Sequence, residues 1–409
     1  MAIRRREISD IKVKRLLVED YKSIKKSNTQ FTKGLNIIIG PNGSGKSNLL
    51  QILNLTTSLT SINSRLRYQF RNNTSYSIIL NYKEDKIIYE LTIIHRKSIL
   101  RDLKDPKKVS NELHIIKKAK GKDTQEFKIP YLENDITSLV KNDQLSKELI
   151  ILRRINKRFI KFSLPADQDS TWIATPAKLV IAEEGYLEFE DFTRFSLFEI
   201  FVDFYLNLNA EKIYALTKEK SSDNIKSFIF RLFENFYTDY NIGENLSRHT
   251  PIEEIRLNQN INIYFIEKEI HIENLLLEYK VSGNWIPWSY LSDGTKRLFY
   301  IVTQTLSIKN GLLIIEEPEI GIHPKQLFSL MNFFKEQSLE KQLFISTHSP
   351  IVLDVLSSEE LDSITISNIE KNGSKFRKLT KKEKEKATSY MKSVGELSYY
   401  WLHSDLEHE

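Results

Sequence analysis

The run Gly34–Leu50, GLNIIIGPNGSGKSNLL, decides the fold. Leu35 to Ile39 is apolar except for Asn36, the composition of a buried strand; a glycine-rich turn follows, and Lys46 and Ser47 open a helical run, Asn48 to Leu55. Gly40, Gly45, Lys46 and Ser47, with Gly43 between them, match the phosphate-loop pattern G-x-x-x-x-G-K-[ST]. A row of backbone N–H groups can close around a phosphate only where glycine permits the dihedrals and the close approach. The helix N-terminus adds partial positive charge to the same oxygens. Such a turn also serves as a plain strand-to-helix connection, but the strand before it and the helical run after it favour the phosphate reading. Gly40, Pro41, Asn42, Gly43, Ser44, Gly45, Lys46, Ser47 and Asn48 are therefore the candidate nucleotide-binding stretch. Lys46 is the mobile charge for the β- and γ-phosphates, and the Ser47 hydroxyl is the candidate Mg²⁺ ligand.

A chain of 409 residues has room for a large core in one to three domains. Its 40% hydrophobic and 28% charged residues are those of a globular protein and not of a disordered one. No apolar run approaches the length of a membrane span, and the basic start MAIRRREISDIKVKR has no apolar segment behind it to act as a secretion signal. The absence of cysteine excludes disulfides and thiolate metal sites, which suits the cytoplasm. A net charge of +6, from 60 basic and 54 acidic residues, permits nucleic-acid contact without predicting it.

Upstream of the loop, residues 11–39 read as two strands around a turn, IKVKRLLVEDY and TQFTKGLNIII, with Lys22 to Lys26 either in a solvated turn, the favoured reading, or near the nucleotide. Downstream, SIILNYKEDKIIYELTIIHR reads as an antiparallel hairpin turning at Glu84 and Asp85, and KKAKGKD from Lys117 as an exposed loop. From 135 to 255 helical spacing takes over. Ile225, Phe228, Ile229, Leu232, Phe233 and Phe236 line one helix face behind Asp223 as N-cap, and this face suits a core or a surface for a partner or a second copy. ILRRINKRFIKF from Ile151 reads as a basic amphipathic helix, either a solvated face or a contact for nucleic acid or an acidic partner. Strands return at INIYFIEKEIHI and LLLEYKVSGNWIPW. Residues 135–255 therefore read as an insertion between an N-terminal half, 1–134, and a C-terminal half, 256–409.

Three more motifs follow in order. LSDGTKRL, with Ser292 and Gly294, opens a second helix whose N-terminus can meet a phosphate. GLLIIEEPE sets four apolar residues before two carboxylates: Glu316 is placed to hold Mg²⁺, directly or through water, and Glu317 to polarise the attacking water as general base. QLFISTHSPIVLD gives another buried strand ending at His348, a ring that at a strand edge can hydrogen-bond the γ-phosphate.

In this order the four motifs resemble those of the ABC-type ATPase heads. GPNGSGKSN, LSDGT, EEPE followed by IHP, and STHSP are most similar to the wording of the RecF-like and OLD-like (overcoming lysogenization defect) branch. The resemblance covers about residues 10–55 and 260–356. It implies an α/β ABC-type P-loop head, a mixed sheet with flanking helices and an antiparallel strand layer, carrying a helical insertion. It also implies that ATP and Mg²⁺ draw two heads together, so that Ser292 and Gly294 of one copy meet the nucleotide of the other. Glu316 takes the metal-supporting role where many such heads have Asp, Glu317 that of the base, and His348 that of the switch histidine. Glu319 to Pro324 falls at the head-to-head contact. Gln69 and Gln144 are the candidates for the Q-loop glutamine.

OLD-like proteins often carry a TOPRIM nuclease, but the 61 residues after His348 show no converging carboxylates for one. The expected function is thus a cytoplasmic ATPase that forms a homodimer or higher oligomer and controls a separate effector, a nuclease or toxin, in bacterial anti-phage defence. The alternative is a recombination-type ATPase binding DNA through the 151–161 helix and the lysines at 378–386.

Overall fold

The computed structural model describes residues 8–56, 74–84, 87–97, 111–131, 157–161, 177–181, 187–191, 201–206, 209–216, 221–308 and 311–404. In chain order the first elements are β1 (Ile8–Tyr21), β2 (Ile24–Gln30), β3 (Leu35–Ile39) and helix α1 (Lys46–Thr56). Then come β4 (Ser75–Glu84), β5 (Ile87–Lys97), β6 (Asn111–Ala119), β7 (Gln125–Tyr131) and β8 (Lys157–Lys161). The middle holds β9 (Ala177–Ile181), β10 (Leu187–Asp191), α2 (Ala210–Ala215), α3 (Ser222–Asp239) and α4 (Ile242–His249). Next are β11 (Glu254–Leu257), β12 (Asn262–Ile266), β13 (Glu269–Leu275), β14 (Leu277–Val281), β15 (Asn284–Pro287) and α5 (Asp293–Leu306). The last are β16 (Leu312–Glu316), α6 (Pro324–Gln337), β17 (Gln342–Thr347), β18 (Ile364–Glu370), β19 (Gly373–Arg377), α7 (Lys381–Ser393) and α8 (Leu397–Leu402).

Two units result, one of residues 1–161, 308–319 and 331–409, the other of 162–307 and 320–330. The first is built on two sheets. One is antiparallel, in the order β2-β1-β4-β5-β6-β7; the other runs β19-β18-β3-β17-β16-β8 and is parallel except for β19. Strands of a parallel sheet are covered on both faces and so read as unbroken apolar runs. LNIII of β3 and LLIIE of β16 are buried at every position. The antiparallel sheet alternates instead: Tyr76, Ile78, Leu80 and Tyr82 of β4 all face the core. That core joins Val13, Leu16, Ile78 and Leu91 to Leu49, Leu50 and Leu53 of α1 and to Ile38, Ile314 and Phe344 of the parallel sheet. Each fully buried aliphatic side chain contributes roughly 1.5–3 kcal/mol to the unit. This α/β arrangement, a mixed sheet with an antiparallel layer, is the one the motifs implied.

Two buried amides tie the layers. Asn36, the one polar residue of β3, accepts from the Thr32 N–H at 2.8 Å and donates to the carbonyls of Thr32 and Gly34, each at 3.1 Å. Gln342, at the start of β17, accepts from the Val13 N–H and donates to the Val13 carbonyl, each at 2.7 Å, and donates to Thr32 O at 2.6 Å. Pairing of β2 with β1 runs only from Arg15 to Tyr21, so Gln342 satisfies backbone groups of Val13 that the strand neighbour does not reach.

Several expectations change. The segment 11–39 forms three strands, because the turn stapled by Asn36 separates β2 from β3. Residues 157–161, expected in a basic helix, form β8, which pairs in parallel with β16, Lys161 opposite Glu316. A run this short fits either periodicity, and the open edge of β16 selects the strand. The stretch 135–255 accordingly holds β8, β9 and β10 as well as helices. The N-cap of α3 is Ser221, whose side chain accepts from the Asn224 N–H, and Asp223 lies in the first turn. Five of the six face residues, Ile225, Ile229, Leu232, Phe233 and Phe236, are buried, and Phe228 is half-buried. In the same unit β9, β10, β12 and β13 form one antiparallel sheet and β11, β14 and β15 another. Gln69 and Gln144 lie outside the described residues.

Lys341 is 3% exposed beside the Gln337 side-chain oxygen. Burial pushes its ammonium down to about 8, against a smaller upward pull from Glu340, and burial does the same to Lys378, also to about 8. Between about pH 8 and 10.5 the unfolded chain holds a proton that the folded chain has released, so stability rises with pH across that window. Below it the cost is present in full. Lys341→Met is expected to stabilise the protein by about 1–3 kcal/mol at pH 7 and by much less at pH 10. Urea unfolding at the two pH values checks this, and an equal effect at both would show that burial of the charge is not the cause.

Candidate functional site

The parallel sheet sets the site by register. Glu316 of β16 lies opposite Ser346 of β17, Ser346 opposite Ile38 of β3, and Ile38 opposite Thr365 of β18. The C-terminal ends of the strands are thus level, and Glu316 stands two strand spacings, about 10 Å, from the strand that feeds the phosphate loop. This is the crevice edge at which open α/β sheets take ligands. Residues 40–48 and 316–317, widely separated in sequence, converge here, and His348 follows the end of β17.

In the loop, Ser44 N–H bonds to Pro41 O at 3.3 Å and Leu49 N–H to Gly45 O at 3.0 Å, so the turn passes directly into α1. Lys46 is 4% exposed and folds back, its ammonium donating to Gly40 O at 2.8 Å and Pro41 O at 2.9 Å. Gly43, exposed and at φ +79°, has nothing within 4 Å of where a Cβ would stand, so the left-handed backbone and not crowding asks for glycine there. Gly45 is the opposite case: at φ +99° an added Cβ would lie 2.2 Å from Ser374 Oγ.

Behind the loop is a brace that the motif did not announce. Asn48 donates to Ser23 Oγ at 2.7 Å, Ser374 Oγ to the same oxygen at 2.7 Å, and the Ser374 N–H to Ser23 O at 2.8 Å. Lys22 donates to Gln51 of α1. The side chain of Asn48, included in the nucleotide stretch, therefore binds the β1–β2 turn. Ser23 and Ser374 are 351 positions apart, and no local pattern marks either.

At the acid end, Glu317 follows β16 with φ +46°, a left-handed conformation uncommon for any residue but glycine, and its N–H donates to Ser346 O at 2.9 Å. His348 Nδ1 lies 3.9 Å from Glu317 Oε1 and 3.3 Å from Glu319 Oε1. Ser292 and Gly294 belong to the other unit. There the Ser292 side chain caps α5, accepting from the Thr295 N–H at 3.2 Å. A Cβ on Gly294 would stand 2.7 Å from the carbonyl oxygen of Gly321, a close approach that by itself explains the glycine.

The residues present suit a magnesium nucleotide. Among the described residues no group of three or more His, Asp or Glu could hold a metal alone. A cation between Ser47 and Glu316 would need phosphate oxygens or waters to complete its shell, which is how Mg²⁺ is usually held.

Residues 35–354, well over half of the chain, match the family model described as an AAA domain, putative AbiEii toxin, Type IV TA system. The chain belongs to this family. The chain is also 24% identical over 384 residues to the Retron Vc95 probable ATPase of Vibrio cholerae serotype O1 biovar El Tor, covering 87% of this chain and 73% of that one. Solved structures similar to it include an Smc head bound to the C-terminal winged-helix domain of ScpA, with a TM-score of 0.47 at 16% identity over 92% of this chain and 99% of that one. The SMC head domain from Thermotoga maritima gives a TM-score of 0.40 at 12% identity over 90% and 99%. No helix among the described residues is long and apolar enough to cross a membrane.

Proposed function

We propose that this AAA domain binds and hydrolyses ATP, that two copies close on the nucleotide, and that this closure governs a separate effector. One observation carries the reading: the Glu316–Ser346–Ile38 register, which levels the paired acids with the strand feeding the phosphate loop. By motif wording we place the chain on the RecF-like and OLD-like side of the ABC-type heads.

In this reading the loop amides hold the phosphates, and Lys46 exchanges the carbonyls of Gly40 and Pro41 for phosphate oxygens. Bound Mg²⁺, supported by Ser47 and Glu316, would supply charge neutralisation at the β- and γ-oxygens. Glu317 takes the proton of the attacking water, and His348 meets the γ-phosphate from the neighbouring strand. Ser292 and Gly294 serve the nucleotide of a second copy. The relative named as a retron's probable ATPase, and a family description that includes a toxin–antitoxin system, support a defence setting in which the ATPase works beside a nuclease or toxin.

Light scattering with and without ATP and Mg²⁺ tests the core of this. The wild-type chain is expected to double in mass with nucleotide, and Lys46→Ala to stay at its starting mass with nucleotide binding reduced about a hundredfold or more. A Lys46→Ala variant that binds and assembles like the wild type would refute the site.

A further inference from the structure

Glu319 lies beyond the paired acids, yet its carboxylate is heavily engaged. Oε1 accepts from Thr347 Oγ1 at 2.6 Å and from the His348 N–H at 2.9 Å, and it stands 3.3 Å from His348 Nδ1. Glu319 is 7% exposed, whereas the imidazole it faces is 41% exposed. Oε2 is buried with no hydrogen-bond partner among the described residues, a costly arrangement for a carboxylate. Nδ1 of the ring thus faces two carboxylates, Glu319 at 3.3 Å and Glu317 at 3.9 Å. A carboxylate oxygen this near the ring favours the tautomer with its proton on Nδ1, and Nε2 is left as the atom the ring presents elsewhere.

We propose that Glu319 is a positioning residue for His348. It fixes the orientation of the imidazole and places a proton on Nδ1, so that Nε2 is the atom offered to the reacting phosphate. The same carboxylate ties the end of β17 to the chain leaving β16, because its two hydrogen-bond donors are Thr347 Oγ1 and the His348 N–H. A purely structural brace would need only those two bonds. The role rests on the ATPase reading above, whereas the state of the ring can be read without any nucleotide.

The test uses the full chain with ¹⁵N-labelled histidine, the His348 signals being assigned by their loss in His348→Gln. In wild type without nucleotide, the imidazole shifts should show a proton on Nδ1. In Glu319→Ala the neutral ring should move toward the Nε2–H form, while Thr347→Val, which removes one brace bond, should leave the ring as in wild type. In steady-state hydrolysis Glu319→Ala should lower kcat about tenfold to a hundredfold with KM for ATP within about threefold, the range typical of carboxylates that orient a working histidine. Glu319→Gln keeps an acceptor oxygen for both hydrogen-bond donors and facing the ring, and should fall between the two; it also serves if the alanine variant does not fold. A wild-type ring protonated on Nε2 alone, unchanged ring shifts in folded Glu319→Ala, or a loss confined to KM would each overturn the proposal. Absence of hydrolysis in wild type together with the expected ring shifts would refute the ATPase reading and leave the orienting contact standing.

Discussion

Glu317→Gln is expected to keep nucleotide bound while hydrolysis falls about 10²- to 10⁴-fold, the range for loss of a positioned general base. The amide matches the carboxylate in shape, so the backbone at φ +46° and the N–H bond to Ser346 O have no reason to move. What disappears is a group able to take a proton from water. In the proposed reading binding depends on the loop and on Lys46 and needs no side-chain bond to Glu317. Single-turnover phosphate release and equilibrium nucleotide binding, measured on one preparation, separate the two effects. Near-normal turnover in this variant would remove Glu317 from the role of base, and lost binding would mean that the acid acts in holding the nucleotide.

The second large effect is at Gly45. An alanine there must adopt φ +99°, at a cost of about 1–3 kcal/mol, with its methyl 2.2 Å from Ser374 Oγ and 2.7 Å from Ser374 Cβ. The serine has little room to retreat, since both its N–H and its hydroxyl are bonded to Ser23. The loop has to shift instead, and it carries Lys46 with it. Gly45→Ala should therefore weaken nucleotide binding about 30- to 1000-fold, equivalent to about 2–4 kcal/mol, as measured by calorimetry with ADP. Gly45→Ala combined with Ser374→Gly relieves the collision but not the backbone, so it should recover part of the affinity. Full recovery would show that sterics alone exclude a side chain, and no change in the single variant would show that the loop tolerates one.

The buried strands were legible because a parallel sheet asks for unbroken apolar runs, and LNIII and LLIIE supply them beside motifs that fix what lies at their ends. Residues 157–161 were not: Arg158, Phe159, Ile160 and Lys161 suit a helix as well as a strand, and the deciding term is the free edge of β16, which no local window contains. The phosphate loop could be read residue by residue, but its support could not. Gly45 is glycine partly because of a serine in β19, and that pairing exists only once the β1–β2 and β18–β19 turns are brought together. Glu319 was visible in EEPE, but its work depends on the end of β17 arriving beside it. Lys341 shows a different limit, because its sequence neighbours Glu340 and Gln342 look like those of any surface lysine.

The left-handed backbone at position 317 bears on selection. Glycine would occupy that conformation at lower energy than any chiral residue, so a sequence shaped only for thermal endurance would drift toward glycine after LLIIE. Under the proposed role of Glu317, carrying a carboxylate at this point means that the protein gives up some resistance to unfolding in return for reactivity. A descendant freed from the need to turn over substrate should let this position change before the neighbouring strand does.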